Sequence, residues 1–207
     1  MFDAFGDADV LIANMRRLKI SFAGIKHIVI SHDHWDHTAG LGSLLSLNKD
    51  LNVYLCPGFG RRLKNEVIAA GARLIETPLP LKIRENIFTT GQIKAEYKGE
   101  TIFEQALVCT AEKGLVIVTG CAHPGLIEII NRVKIDFPGP LRGIFGGFHL
   151  HDYPEEKIKS LLAVLKKEGI VWAGPTHCTG DEAVRMFRDH FAENFLEVRE
   201  LNSYSFL

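Results

Sequence analysis

The second half of the chain shows one pattern of residue types three times: a short, mostly apolar run that ends in glycine, then an amphipathic segment with helical spacing. The apolar runs span 114–120, 141–147 and 169–174. The amphipathic segments span 123–134, 153–169 and 179–191. Alternation of this kind is typical of parallel strands joined by crossover helices. It predicts a layered α/β fold.

The first half carries the same types of signal less regularly. Helical spacing predicts helices over 7–19, 60–71 and from about residue 37, and apolar runs predict strands over 27–30 and 51–57. Residues 72–113 alternate and are broken by proline and glycine, which predicts hairpins or a meander, and 195–201 reads as a last strand. Because no internal sequence repeat, low-complexity tract or linker is visible, we expect a single domain over 1–207.

Composition excludes several classes of protein. A chain of 207 residues with 46% hydrophobic residues can bury a core, and 24 basic against 25 acidic residues leave no basic excess for nucleic acid or a membrane surface. No apolar run approaches a membrane span, and the acidic start is unlike a secretion signal. Four cysteines without CxxC spacing are expected to be free thiols, which favours a cytoplasmic location. They are Cys56, Cys109, Cys121 and Cys178.

The stretch "SHDHWDH", residues 31–37, follows the predicted strand 27–30. In an extended segment side chains two positions apart point the same way, so His32 and His34 can bind one metal ion. After a turn, Asp36 and His37 can face a second ion, and two ions about 3.5–4 Å apart can stabilise an in-line displacement. If only one ion binds, Asp36 could instead orient the nucleophile. Imidazole and carboxylate suit zinc, with iron or manganese as alternatives.

Three further histidines follow predicted strands: His123, His149 and His177. In open α/β sheets ligands bind at the carboxyl ends of the strands, so these histidines are predicted to converge on one site with the 31–37 motif. For His149 two readings stay open, a site residue or a hydrogen-bonded interior histidine.

"SHDHWDHTAGL" resembles the signature of the metallo-β-lactamase superfamily, whose members share an αββα sandwich and a centre of one or two metal ions. "VTGCAHPG", "GGFHL" and "GPTHCTG" resemble the branch that includes a dihydropterin–ribofuranosylaminobenzene phosphate synthase, linked to methanopterin-type cofactor assembly. The resemblance implies one metal held by His32, His34 and His123, and a second held by Asp36, His37 and His177. It also implies that Asp3, in "FDA", supports the metal loop.

One position departs from the superfamily pattern. Cys121 stands in "TGC", where an aspartate often bridges both ions, and it is either a thiolate ligand or a small buried residue. About two strands usually precede "FDA" in the proteins that this chain resembles. Their absence predicts an exposed sheet edge and therefore a homo-oligomer.

Together these observations predict a metal-dependent hydrolase or transferase with two divalent ions. Its substrate is expected to be a small phosphorylated, diphosphate or ester compound, pterin-related by the resemblance, with Asp36 and His149 as catalytic candidates. An anionic group is expected at the start of the last helix, around Thr179 and Gly180. The alternatives are an iron-binding redox or ligand-binding protein on the same fold, and an inactive shortened scaffold.

Overall fold

The computed structural model describes residues 1–198 and Tyr204. The helices are α1 (Ala8–Arg17), α2 (Trp35–Thr38), α3 (Leu41–Leu47), α4 (Arg61–Ala69), α5 (Leu126–Asp136), α6 (Glu155–Lys167) and α7 (Asp181–Phe191). The strands are β1 (His27–Val29), β2 (Asn52–Leu55), β3 (Arg73–Glu76), β4 (Leu81–Arg84), β5 (Ile87–Thr89), β6 (Ile93–Tyr97), β7 (Glu100–Glu104), β8 (Leu107–Ala111), β9 (Gly114–Thr119), β10 (Leu141–Gly147) and β11 (Trp172–Thr176). The chain divides into two compact units, 1–83 with 91–105, and 84–90 with the residues from 106 onwards.

The first unit is built on a parallel sheet with the strand order β1–β2–β3. Parallel strands need a crossover, and α2 with α3 supplies the first while α4 supplies the second. The core is formed by strand residues such as Ile28, Val53 and Leu55 and by helix residues such as Leu41 and Leu45. An antiparallel hairpin of β6 and β7 completes this unit.

The first residues of the chain lie along β1 and against the loop that follows it. The Asp3 backbone N–H donates to the carbonyl of Val29 at 2.9 Å, and the next N–H, of Ala4, donates to the carbonyl of His37 at 2.8 Å. Gly40 permits this approach, because a Cβ there would lie 2.1 Å from the Ala4 carbonyl oxygen. The side chain of Asp3 is thereby held at the carboxyl end of β1.

The second unit contains β11, β10, β9, β8 and β5 in that spatial order. β9, β10 and β11 are parallel and are joined through α5 and α6, whereas β8 runs antiparallel to both of its neighbours. The buried residues of α5 recur at helical spacing on one side of the helix. They are Leu126, Ile129, Ile130 and Val133. The loops after the three parallel strands therefore leave the sheet at one edge.

The predicted α/β alternation is confirmed, with three corrections. β3 was predicted to lie in a hairpin, but it pairs in parallel with β2. The prediction was wrong because an alternating pattern indicates a strand without indicating the strand it pairs with. The strand predicted at 169–174 lies at 172–176 and contains Pro175, which an edge strand tolerates. The predicted strand 195–201 lies partly outside the described residues, and of 195–198 only Phe195 forms an isolated bridge. Among residues 1–198 and Tyr204, no helix combines the length and apolar character needed to cross a bilayer.

Candidate metal centre

Loop 31–37 gathers its imidazoles on one side. His32 and His37 are buried and His34 is half-buried, whereas the intervening Asp33 and Trp35 are exposed. The ring centroid of His32 lies 4.7 Å from that of His34 and 4.1 Å from that of His37. One ligand atom of His32 lies within 4.8 Å of one from each of these two histidines. The loop therefore presents a compact set of nitrogen donors.

The side chain of Asp3 fixes how these imidazoles are protonated. Its Oδ1 accepts from the Ser31 N–H at 2.6 Å, and its Oδ2 accepts from the Ser31 hydroxyl and from Nδ1 of His37, both at 2.8 Å. Because the Ser31 hydroxyl donates to Asp3, its oxygen is left to accept from Nδ1 of His32, 2.8 Å away. Both histidines then carry their proton on Nδ1 and their lone pair on Nε2, the arrangement that metal-binding histidines use.

Ser31 is the residue of this loop that sequence reasoning missed. Serine just past a strand is common, and nothing in its spacing marks it as a link between Asp3 and His32. The available signal was its position directly before the first histidine and after a buried strand.

The loop is electrostatically negative around His37. Burial by itself lowers the pKa of His37, but the hydrogen bond with Asp3 and the charges of Asp3, Asp36 and Glu104 outweigh it and raise the pKa above its ordinary value. Asp36 contributes directly, since its Oδ2 lies 3.5 Å from Nε2 of His37. A positive charge is thus favoured here, which is also what a bound cation would supply.

In the second unit, His123, His149 and His177 follow β9, β10 and β11, as predicted. The ring centroids of His123 and His149 lie 4.6 Å apart. His149 and His177 both adopt the left-handed region, with φ of +49° and +54°. Non-glycine residues in that region cost free energy and are concentrated at functional sites.

Two cysteines accompany these histidines. Cys121 is buried and Cys178 is half-buried, and together with His149 they form a group whose ligand atoms all lie within 4.8 Å of one another. Hydrogen bonding with Cys121 holds the pKa of the Cys178 thiol well below its usual range; burial opposes the shift, and hydrogen bonds with His149 support it. All four cysteines are free thiols, as expected.

The proposed anion site at Thr179 and Gly180 has a structural role as well. The buried Thr179 hydroxyl donates to the Thr176 carbonyl at 2.6 Å and accepts from the Phe148 N–H at 3.1 Å. Gly180 is the N-cap residue of α7, with φ of +83°. Anion binding there stays a prediction. The ligand sets in which His123 and His177 share ions with loop 31–37 also stay predictions. The catalytic roles of Asp36 and His149 stay predictions as well.

Comparison with known proteins gives the family. Residues 1–94 match the model of the beta-lactamase superfamily domain. The 7,8-dihydropterin-6-methyl-4-(β-D-ribofuranosyl)-aminobenzene-5'-phosphate synthase of Methanocaldococcus jannaschii is 30% identical over a gapped alignment of 235 positions, which covers 94% of this chain and 80% of that protein. The crystal structure of Tm1679, described as a metal-dependent hydrolase of the beta-lactamase superfamily, is 28% identical, with a TM-score of 0.75 over 94% of this chain and 84% of that one.

The fold extends to more distant proteins. YhfI of Bacillus subtilis, a metallo-β-lactamase fold protein, is 13% identical, with a TM-score of 0.67 over 96% of this chain and 83% of its own. At that identity the likeness concerns the fold alone. The metal-dependent neighbour Tm1679 and a donor set of imidazole and carboxylate support the use of divalent metal. The chain belongs to the metallo-β-lactamase superfamily, in the branch that resembles the dihydropterin–ribofuranosylaminobenzene phosphate synthase.

Proposed function

We propose that this protein is a metal-dependent enzyme that transfers or hydrolyses a group on a small phosphorylated compound. One observation carries the proposal: Asp3 and Ser31 engage Nδ1 of both His32 and His37, so that both rings carry their lone pair on Nε2 within one loop. A histidine cluster that served only packing would have no need of this shared orientation.

The donor set fits a divalent cation. His32 and His34 would hold one ion, and Asp36 and His37 would contribute to a second, with zinc the first expectation and iron or manganese the alternatives. When bound, such ions act as Lewis acids and lower the pKa of coordinated water towards neutrality. Asp3 keeps the imidazoles oriented. If only one ion is bound, Asp36, half-buried beside His37, would instead orient the attacking group.

The substrate class is proposed from the relatives. The name of the 30% identical synthase describes a product that joins a dihydropterin to an aminobenzene riboside phosphate. A dihydropterin whose methyl group carries a diphosphate, offered with an aminobenzene riboside phosphate, is accordingly the first substrate pair to test. Hydrolysis of a phosphoester is the second, because a 28% identical neighbour is described as a hydrolase.

Metal content tests the centre. Protein purified without added metal should contain zinc, iron or manganese by elemental analysis, and His32→Ala and His34→Ala should each lower the metal content by about one ion per chain. His190→Ala is the matched control, since His190 is exposed on α7. His123→Ala and His177→Ala test the wider ligand set that the family resemblance implies. If His32→Ala binds as much metal as the wild type, the proposed centre is wrong.

Activity tests the reaction. The metal-loaded protein should convert either the pterin pair or a phosphoester substrate, and a chelator should abolish the turnover. Full metal occupancy without turnover of either class, in a protein that unfolds cooperatively, would refute the proposed function and leave the metal centre in place.

A further inference from the structure

The hairpin of β6 and β7 turns one of its faces towards loop 31–37 of the same unit. Ile93 pairs with Glu104 across the hairpin and lies four residues before Tyr97 on β6, so all three side chains point to one face. At the base of the hairpin, the charge of the buried Glu104 acts on His37. At its tip, the ring centroid of Tyr97 lies 5.8 Å from that of His34. The hairpin therefore borders the histidine loop along its length.

The tip itself is a two-residue turn formed by Lys98 and Gly99. Their φ values are +51° and +82°. Positive φ at both central residues is the mark of a type I′ hairpin turn, in which asparagine, aspartate and glycine are favoured. A lysine at the first of these positions costs backbone free energy that asparagine would cost less. Because the turn gains nothing from lysine, the side chain of Lys98 is the feature that needs an explanation.

The side chain of Lys98 is held over the ring that contacts the histidine loop. Its Nζ lies 5.0 Å from the centroid of the Tyr97 ring, which is a cation–π contact. The other neighbour of this ring is the imidazole of His34. The ammonium and the imidazole therefore lie within the length of a small molecule of each other. Lys98 is exposed and Tyr97 is half-buried, so a solute that reaches the histidine loop can contact both.

We propose that Tyr97 and Lys98 form a recognition subsite for a phosphate-bearing aromatic part of the substrate. The Lys98 ammonium donates to the phosphate oxygens, and the Tyr97 ring packs against the aromatic ring. This inference rests on the proposed function, which calls for a small phosphorylated substrate at loop 31–37. Hydrogen bonds between an ammonium and a phosphate are among the strong ones, because both partners are charged.

The charge of the neighbouring loop explains why a cation is needed at this place. Three carboxylates lie close enough to His37 to raise its pKa. They are those of Asp3, Asp36 and Glu104. A phosphate group that is not itself bound to a metal ion is repelled by these charges. Lys98 supplies a compensating positive charge beside the loop.

The opposite face of the same hairpin provides a matched control. Lys94 is adjacent to Ile93 on β6 and therefore points away from the face that carries Tyr97. Its Nζ lies 3.0 Å from the carboxylate of Glu96, which also accepts from the Thr101 hydroxyl at 2.9 Å. Lys94 is thus an exposed lysine of the same strand whose charge is already paired.

Phenyl phosphate is a suitable probe, since it combines a phosphate with an aromatic ring. In the zinc-loaded full chain its dissociation constant, measured by calorimetry, should rise about tenfold in Lys98→Asn, the loss expected for one hydrogen bond between charged groups. Lys98→Arg keeps the charge and should bind within about threefold of the wild type, and Lys94→Gln within about twofold. Asparagine suits the turn, so the stability of Lys98→Asn in urea should equal or exceed that of the wild type. Affinity of Lys98→Asn within about twofold of the wild type would overturn the proposal.

Tyr97→Leu separates the contribution of the ring from that of the charge. It should weaken the binding of phenyl phosphate about threefold or more and that of inorganic phosphate much less, because only phenyl phosphate has a ring to pack. Equal losses for the two ligands would overturn the role of Tyr97.

Failure of the subsite and failure of the proposed function give different results. Metal-dependent turnover that persists while Lys98→Asn binds phenyl phosphate as the wild type does would leave the proposed function and sink the subsite alone. Absent turnover, with an affinity for phenyl phosphate that depends on Lys98, would sink the proposed function and keep phosphate recognition at the hairpin tip.

Discussion

Replacing Asp3 by asparagine tests the organisation of the metal loop without changing its shape. The carboxylate accepts three hydrogen bonds, two from Ser31 and one from His37. An asparagine oxygen can keep the bond from the Ser31 N–H, but its NH₂ group then faces Nδ1 of His37, donor against donor. To escape this conflict His37 must move its proton to Nε2, which removes the lone pair that a metal ion would use.

The magnitude follows from these bonds. A hydrogen bond to a charged partner contributes about 1.5–3 kcal/mol, so the loss of one should lower the free energy of unfolding of the metal-free protein by about 2 kcal/mol. Asp3→Ala removes all three bonds and should cost at least about 4.5 kcal/mol, since each contributes about 1.5 kcal/mol or more. Disturbing a group that orients a metal-binding histidine typically weakens metal affinity by about 10–100-fold, which we expect for Asp3→Asn.

Urea unfolding in the presence of a chelator measures the first effect, and competition with a chromophoric chelator measures the second. Asp7→Asn is the matched control, because Asp7 caps α1 by accepting from the N–H groups of Asp9 and Val10, and asparagine caps equally well. The reasoning is refuted if Asp3→Asn unfolds within about 0.5 kcal/mol of the wild type and binds metal within about twofold of it.

Three further perturbations have defined outcomes. Gly40→Ala should lower the free energy of unfolding in urea by about 1–3 kcal/mol, since its Cβ would lie 2.1 Å from the Ala4 carbonyl oxygen. Gly24→Ala, whose Cβ would have its nearest neighbour at 3.5 Å, should change stability much less. Equal effects of the two substitutions would count against the close approach at Gly40. Burial raises the pKa of the Cys56 thiol and shields its sulfur, so iodoacetamide at pH 8 should modify Cys56 only when the protein unfolds, and rapid labelling of the native protein, located by mass spectrometry, would contradict this. Removing bound metal should lower the melting temperature, because free metal at 100 times its dissociation constant adds about 2.7 kcal/mol to the free energy of unfolding. An unchanged melting curve would argue that the loop binds no metal.

The alternation of strands and helices was readable from the sequence because each element has its own hydrophobic period. β10 was predicted at its observed bounds, 141–147, because its mostly apolar run ends in two glycines and is followed by a helical pattern with an early proline and acidic residues. β11 was predicted at 169–174 but lies at 172–176, where Pro175 pairs with Gly146 within the strand. The pairing depends on the position of β11 in the sheet, which local sequence does not encode.

In the candidate site, too, features of local sequence could be predicted and contacts between distant residues could not. The histidines of loop 31–37 could be picked out because their spacing is rare and their chemistry is specific. The support from Asp3 followed only from family resemblance, since 28 residues separate it from Ser31 and no periodicity links them. The role of Ser31 was not predicted, because it depends on the side chain of Asp3, which comes from another part of the chain.

Cys121, His149 and Cys178 each lie two positions beyond the end of their strand, which is β9, β10 and β11 respectively. The spacing between these three side chains is set by the distance between neighbouring strands and depends little on the identity of each side chain. Exchanging one of these side chains would therefore change the chemistry of this edge of the sheet without rebuilding a loop.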